Sequence, residues 1–178
     1  MPVWLWVVVA LLALAAWRVG TSWWTSRGSR VVTCPENHRP AGVAVDALHA
    51  SFSALGGAPA IRLSSCSRWP EKAGCGQECL AQIAAAPEEC LVRNIVSSWL
   101  AGKRCANCGQ PFGEIAWAGS PPALLAADNK TVEWRHVPAD HLAEVLETSL
   151  PVCFACHTAI TMIREHPELV INRHRARD

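Results

Sequence analysis

Cys105-Ala106-Asn107-Cys108-Gly109 and Cys153-Phe154-Ala155-Cys156-His157 are the two most informative stretches of the chain. A two-residue gap lets a chain wrap so that both sulfurs of a C-x-x-C pair face one ion. Gly109 allows the positive φ that such a turn needs and leaves amides free to hydrogen-bond thiolates. Two pairs supply four thiolates, the closed tetrahedral set of a structural zinc site. A closed set leaves no position for water or substrate, so its expected role is to staple a small region whose own core is modest.

The intervening chain has an order of its own. Residues 114–118 read as a strand. Residues 123–127 and 131–137 read as a hairpin turning at Asp128-Asn129-Lys130. Residues 138–149 read as a helix with Leu142, Val145, Leu146 and Leu150 on one face. A last helix begins near Cys156, turns Ala159, Ile160 and Ile163 inward, and stops before Pro167. Knuckle, hairpin, and a helix whose first turn carries the second pair resemble the treble-clef and zinc-ribbon families over residues 105–167. The resemblance implies one zinc held by Cys105, Cys108, Cys153 and Cys156, with the helix at 138–149 as an insertion. The same residues admit a rival. Cys153-x-x-Cys156-His157 is also the attachment pattern of c-type haem, with His157 as proximal iron ligand. Under that reading Cys105 and Cys108 need a separate explanation, and His136 or His141 is the candidate second iron ligand.

Five cysteines remain. Cys34-Pro35 follows a predicted strand, as half a knuckle often does. Cys66 leads through a turn to Cys75 and Cys79, which share a face if the helix at 77–86 extends back one turn. Cys34, Cys66, Cys75 and Cys79 therefore form a looser candidate zinc set. An iron–sulfur cluster on Cys66, Cys75, Cys79 and Cys90 is a further alternative, and disulfides are another in an oxidising compartment. Cys90 alone fits a core position.

Upstream, Val3 to Trp17 is an uninterrupted apolar run, continuing through Arg18 to Trp23 and Trp24. Trp4 and Trp6 at one end, with Trp17, Trp23 and Trp24 at the other, suit the two belts of a membrane-spanning helix in contact with lipid through residues 3–24. Ala13-Leu14-Ala15 also permits a cleaved signal peptide, although nothing basic precedes the run. Arg18, Arg27 and Arg30 follow it, and no acid appears before Glu36. By the positive-inside rule this places the soluble part in the cytoplasm.

The expected organisation is an anchor at 1–24, a linker at 25–30, a Cys-rich region at 31–104, a zinc-ribbon-like region at 105–173 and a basic tail at 174–178. In the first region, strands are expected at 31–33 and 60–63. Val45, Leu48, Phe52 and Leu55 have helical spacing, while Val43, Val45 and Ala47 alternate as in a strand. Pro87-Glu88-Glu89 reads as the start of a helix with Leu91, Val92, Ile95, Val96, Trp99 and Leu100 on its apolar face, ended by Gly102. Trp99, Trp117 and Trp134 are expected in the core.

Composition bounds the function. The chain has 178 residues, 9 Cys, 9 Trp and a net charge of +1, with 51% hydrophobic residues. The apolar share excludes disorder throughout, and the charge argues against a nucleic-acid binder. Nine is odd, so cysteines cannot all pair internally. No phosphate-binding loop, H-E-x-x-H or G-x-S-x-G occurs. The expected class is α+β: one N-terminal membrane helix, then a small Cys-rich domain of hairpins and helices stapled by one zinc, or two if the looser set also closes. Its expected role is protein interaction or assembly, not catalysis. The competing class is a membrane-anchored electron-transfer protein with haem or an iron–sulfur cluster.

Overall fold

The computed structural model describes residues 2–72 and 74–169. The expected basic tail lies outside them. The chain has mixed helix and sheet and divides into two compact units, Met1–Asn94 and Ile95–Asp178.

The first unit opens with α1 (Val3–Ser26), whose 24 residues reach about 36 Å at 1.5 Å each. The helix is long and apolar enough to cross a membrane, although a signal sequence passes the same test. It runs well past Trp17 because Val19, Trp23 and Trp24 extend the apolar sequence and Thr21 and Thr25 return their hydroxyls to its own carbonyls. Arg27 stacks over the Trp23 ring at 4.1 Å. Residues expected as a linker instead hold the end of α1, a turn at Gly28 (φ +106°) and the start of β1.

Three antiparallel strands follow, β1 (Ser29–Thr33), β2 (Pro40–Val45) and β3 (Leu63–Cys66), in the order β1-β2-β3. Alternation places Val32, Ala41, Val43, Val45 and Leu63 inside, where they pack with Cys34, Cys79 and Ile83. The ambiguous segment after Val43 is both things. The strand ends at Val45, Asp46 caps the next turn by accepting the His49 amide at 2.9 Å, and α2 (Ala47–Ser53) begins. Leu48, Phe52 and Leu55 are exposed, and α2 buries Ala50 and Ser51 instead. Small side chains there allow close approach to α1, where buried Ser22 donates to the Ala50 carbonyl at 3.1 Å. β3 begins at Leu63, later than expected. α3 (Leu80–Ala85) starts at the N-cap Cys79. Gln77 has φ +57°, which stops α3 from extending back, so Cys75 and Cys79 do not share a helix face.

Residues 87–90 form turns, and α4 begins only at Val92 (Val92–Leu100). Tertiary pairing overrides the helical start. The Cys90 carbonyl accepts the Val31 amide at 2.9 Å, and Leu91 bridges to Arg30. Arg30 is only 2% exposed and caps α1 from behind. Its Nη2 donates to the Thr25 carbonyl at 2.7 Å, and its Nη1 to the Ser26 and Gly28 carbonyls at 2.9 and 3.3 Å.

The second unit contains a sheet of β4 (Ala123–Leu125), β5 (Thr131–Glu133) and β6 (Leu150–Val152), in the order β5-β4-β6. The expected hairpin is present, with Asn129 at φ +60° in its turn. Its second arm leaves the sheet at a 3-10 turn, Trp134–His136. The strand expected at 114–118 is irregular chain that turns at 117–119, held by Trp117 stacking edge-on against Trp134 at 5.1 Å and by Arg135 donating to the Trp117 carbonyl. Trp99, Trp117 and Trp134 are half-buried, not enclosed. The expected 138–149 helix divides into a 3-10 turn (Ala139–His141) and α5 (Leu142–Thr148), which buries Leu142 and Leu146. Leu150 is exposed because it has already entered β6. α6 (Phe154–Glu165) closes the unit and stops before Pro167. Ile160 packs toward the sulfurs, but Ala159 and Ile163 are exposed. The inward face is rotated because His157 and Thr161 meet β5.

Candidate metal centre

Cys105 lies at the base of a turn closed by two backbone hydrogen bonds. Its amide donates to the Gln110 carbonyl at 2.8 Å, and the Gly109 amide donates to the Cys105 carbonyl at 2.9 Å. Gly109 has φ +72°, the conformation for which a glycine is suited. Arg104 and Pro111 bridge across the mouth of the turn. β6 fixes this turn against the second pair: the Pro151 carbonyl accepts the Ala106 amide at 2.8 Å. Pro151 is tolerated because β6 is an edge strand. The chain then delivers Cys153 as N-cap of α6 and Cys156 in its first turn, where the helix dipole favours thiolate.

The sulfurs of Cys105, Cys108, Cys153 and Cys156 all lie within 4.8 Å of one another. The Cys108 and Cys153 sulfurs are 3.8 Å apart. Four ligands at about 2.3 Å from a tetrahedral ion are separated by about 3.8 Å, whereas a disulfide needs about 2.05 Å. All four are free thiols. Cys105 and Cys156 are buried, Cys153 is half-buried and Cys108 is exposed.

Donors surround the sulfurs. The Cys153 amide donates to Cys105 Sγ at 3.3 Å, and Asn107 Nδ2 donates to Cys156 Sγ at 3.3 Å. At Cys105 burial opposes ionisation, but the amides of Cys153, Cys108 and Asn107 outweigh it and bring the thiol down to about 6. Burial, with the neighbouring cysteines, pushes Cys153 up to about 12. Four sulfurs this close resist common ionisation until a cation offsets their charge. The donor set and the spacing thus fit a soft metal ion.

His157 is turned elsewhere. Its Nδ1 shares a 2.8 Å hydrogen bond with buried Thr131, and its Nε2 lies 3.9 Å from Glu133 Oε1. The looser set falls in the other unit. Cys34, Cys66, Cys75 and Cys79 line one pocket of about 350 Å³, and Cys90 is absent from its lining. Cys90 packs against the edge of the core, its sulfur 4.0 Å from the Gln82 carbonyl. Sequence reasoning missed Asn107 and β6. Asn107 lies in the gap of the first C-x-x-C, and an amide side chain there was a readable signal. β6 is too short and too proline-marked to announce itself.

Among the described residues, the fold and the site define one candidate membrane-spanning helix and a four-cysteine cluster able to hold a metal. No family model, curated protein or solved structure matches the chain.

Proposed function

We propose that the protein is a single-pass membrane protein whose Cys105, Cys108, Cys153 and Cys156 hold one structural zinc ion, and that the stapled unit serves as a protein-interaction or assembly module. The observation carrying this is the mutual approach of four sulfurs from two separate turns, with a 3.8 Å edge equal to that of a tetrahedral tetrathiolate. Knuckle, hairpin, and a helix whose first turn carries the second pair support a treble-clef or zinc-ribbon type of unit. A saturated centre leaves no site for substrate, which supports a structural role. Zinc is favoured over c-type haem because Cys153 and Cys156 face Cys105 and Cys108, while His157 is engaged by Thr131. The apolar run Val3–Trp17 inside α1, followed by Arg18, Arg27 and Arg30 with no acid before Glu36, supports an anchor with the rest of the chain in the cytoplasm.

Elemental analysis of the full chain purified in detergent tests the metal. The expected result is zinc at this centre and no haem absorbance; Cys105→Ser releases the zinc, and its removal by chelator lowers the melting temperature of the second unit. A red protein retaining haem after acid extraction refutes it. A C-terminal reporter active only outside the cytoplasm refutes the orientation.

A further inference from the structure

We propose that Cys34, Cys66, Cys75 and Cys79 form a second thiolate metal centre, built on a knuckle of the same backbone design as the first and taking a thiophilic metal as a single ion or as an iron–sulfur unit. This centre lies wholly in the unit Met1–Asn94 and does not depend on the first.

The loop joining β1 to β2 is Cys34-Pro35-Glu36-Asn37-His38-Arg39. Its backbone repeats that of Cys105 to Gln110. The Cys34 amide donates to the carbonyl five residues on, Arg39, at 2.9 Å, as Cys105 does to Gln110. The His38 amide returns to the Cys34 carbonyl at 2.9 Å, as Gly109 does to Cys105. His38 has φ +54° where Gly109 has +72°. A positive φ is uncommon outside glycine but is better accepted by His than by most residues, so this turn closes without a glycine. Thr33 pairs with Pro40 across the mouth, as Arg104 pairs with Pro111. In both turns the amides two and three residues after the cysteine are directed at its sulfur: Glu36 and Asn37 here, Asn107 and Cys108 there. A turn that aims two amides at a sulfur solvates a thiolate, the form that binds metal.

Sequence differs where ligand number is decided. Asn37 stands at the place of Cys108, so this knuckle carries one sulfur instead of two. Three other elements supply the rest. Cys66 ends β3, Cys79 caps α3, and Cys75 lies in the loop between, flanked by Gly74 and Gly76. The Gln77 amide donates to Cys75 Sγ at 3.4 Å. All four cysteines line one pocket, floored by Val32, Ala41 and Leu63. Arg68 donates to Cys34 Sγ at 2.9 Å. Lys72 pairs with Glu36, which also takes Arg68 at 3.3 Å. A four-thiolate centre around a divalent ion carries surplus negative charge, and Arg68 is the cation placed to offset it.

The two sets differ in spacing. Among the described residues, only the first has all its ligand atoms within 4.8 Å of one another. The second is more open, and its pocket has room for more than a bare ion. Either the loop carrying exposed Cys75 closes on one ion, or a larger iron–sulfur unit fills the wider space.

The test uses the full chain, purified without oxygen in detergent, and measures zinc, iron and acid-labile sulfide per chain. The expected wild-type result is two zinc, or one zinc with iron and matching sulfide. Cys34→Ser with Cys66→Ser should lose one centre and retain the other, and Cys105→Ser with Cys108→Ser should do the reverse. Alkylation of the native wild type keeps the idea falsifiable if those variants misfold. Cys75 is exposed, so only coordination shields it. Its alkylation rate should rise at least tenfold when chelator is added. Metal content unchanged by the Cys34 and Cys66 substitutions overturns the proposal. So does Cys75 reacting equally fast before and after chelation, or a disulfide among the four in the native mass. Loss of metal from this pair of variants alone, with none lost from the Cys105 pair, keeps this centre and refutes the zinc proposed for the first.

Discussion

Asn107→Ala should weaken metal binding at the Cys105 centre without weakening the fold around it. The Asn107 side chain is exposed, and its one recorded hydrogen bond runs from Nδ2 to Cys156 Sγ at 3.3 Å. Cys156 is 8% exposed, so no solvent readily replaces that donor. A hydrogen bond to a charged acceptor contributes about 1.5–3 kcal/mol, which at about 1.4 kcal/mol per tenfold predicts a loss of roughly 10–150-fold in affinity. Partners of metal ligands elsewhere tune affinity by about 10–100-fold, in agreement. Asn107→Asp should lose more, because it sets a carboxylate beside four thiolates. The assay is competition for zinc against a chromogenic chelator, with thermal unfolding of the metal-free protein in parallel. Affinity within twofold of wild type, or an equal drop in metal-free stability, refutes the reasoning. The first outcome means that the amide does nothing for the sulfur, and the second that it acts through the fold.

Other sites give separate tests. Arg30→Ala leaves two carbonyls at the end of α1, and a third in the turn after it, without their charged donor and should destabilise the first unit by at least about 3 kcal/mol in denaturant titrations; a cost below about 1 kcal/mol contradicts this. Leu91 is 1% exposed and Phe52 is 65% exposed, so Leu91→Ala should cost about 2–5 kcal/mol and Phe52→Ala under about 0.5 kcal/mol in detergent. The reverse order would show that α2 is packed otherwise. The His49 amide, with the Arg62 guanidinium, holds Asp46 below the usual carboxylate range. Its contribution is therefore complete above about pH 4 and fades as pH falls through its lower folded value. The stability gap between wild type and Asp46→Ala should close in that window, and a gap constant down to pH 2 argues against it.

The sequence was most readable where one residue type carries one physical demand. Four cysteines at two short spacings, with Gly109 after one pair, announce a common focus, and the structure brings them together. The apolar run announced a long helix, and Asp128-Asn129-Lys130 announced a turn. Readings failed where tertiary pairing outweighed local preference. Glu88 and Glu89 suit a helix start, yet Cys90 and Leu91 are drawn into pairing with Val31 and Arg30. Leu48, Phe52 and Leu55 suit an inward face, yet close packing on α1 selects Ala50 and Ser51. The backbone likeness of Cys34–Arg39 to Cys105–Gln110 was hidden because His38 adopts a conformation that sequence reading reserves for glycine.

Arg27 and Gly28 are the only residues between the end of α1 and the start of β1. A flexible tether explores a radius of about 5–6 Å times the square root of its length, so two residues permit less than about 10 Å even if unrestrained. Here Arg30 clamps the helix end and Ser22 locks α2 alongside it. α1 is thus a mast and not a leash. If α1 crosses a bilayer as proposed, the Cys34 pocket rides at one height and one tilt. Whatever meets it must be brought to that height, by lying at the same membrane surface or by carrying an arm of matching length. Inserting a flexible Gly-Ser segment after Ser26 would free the unit to swing while leaving every cysteine in place.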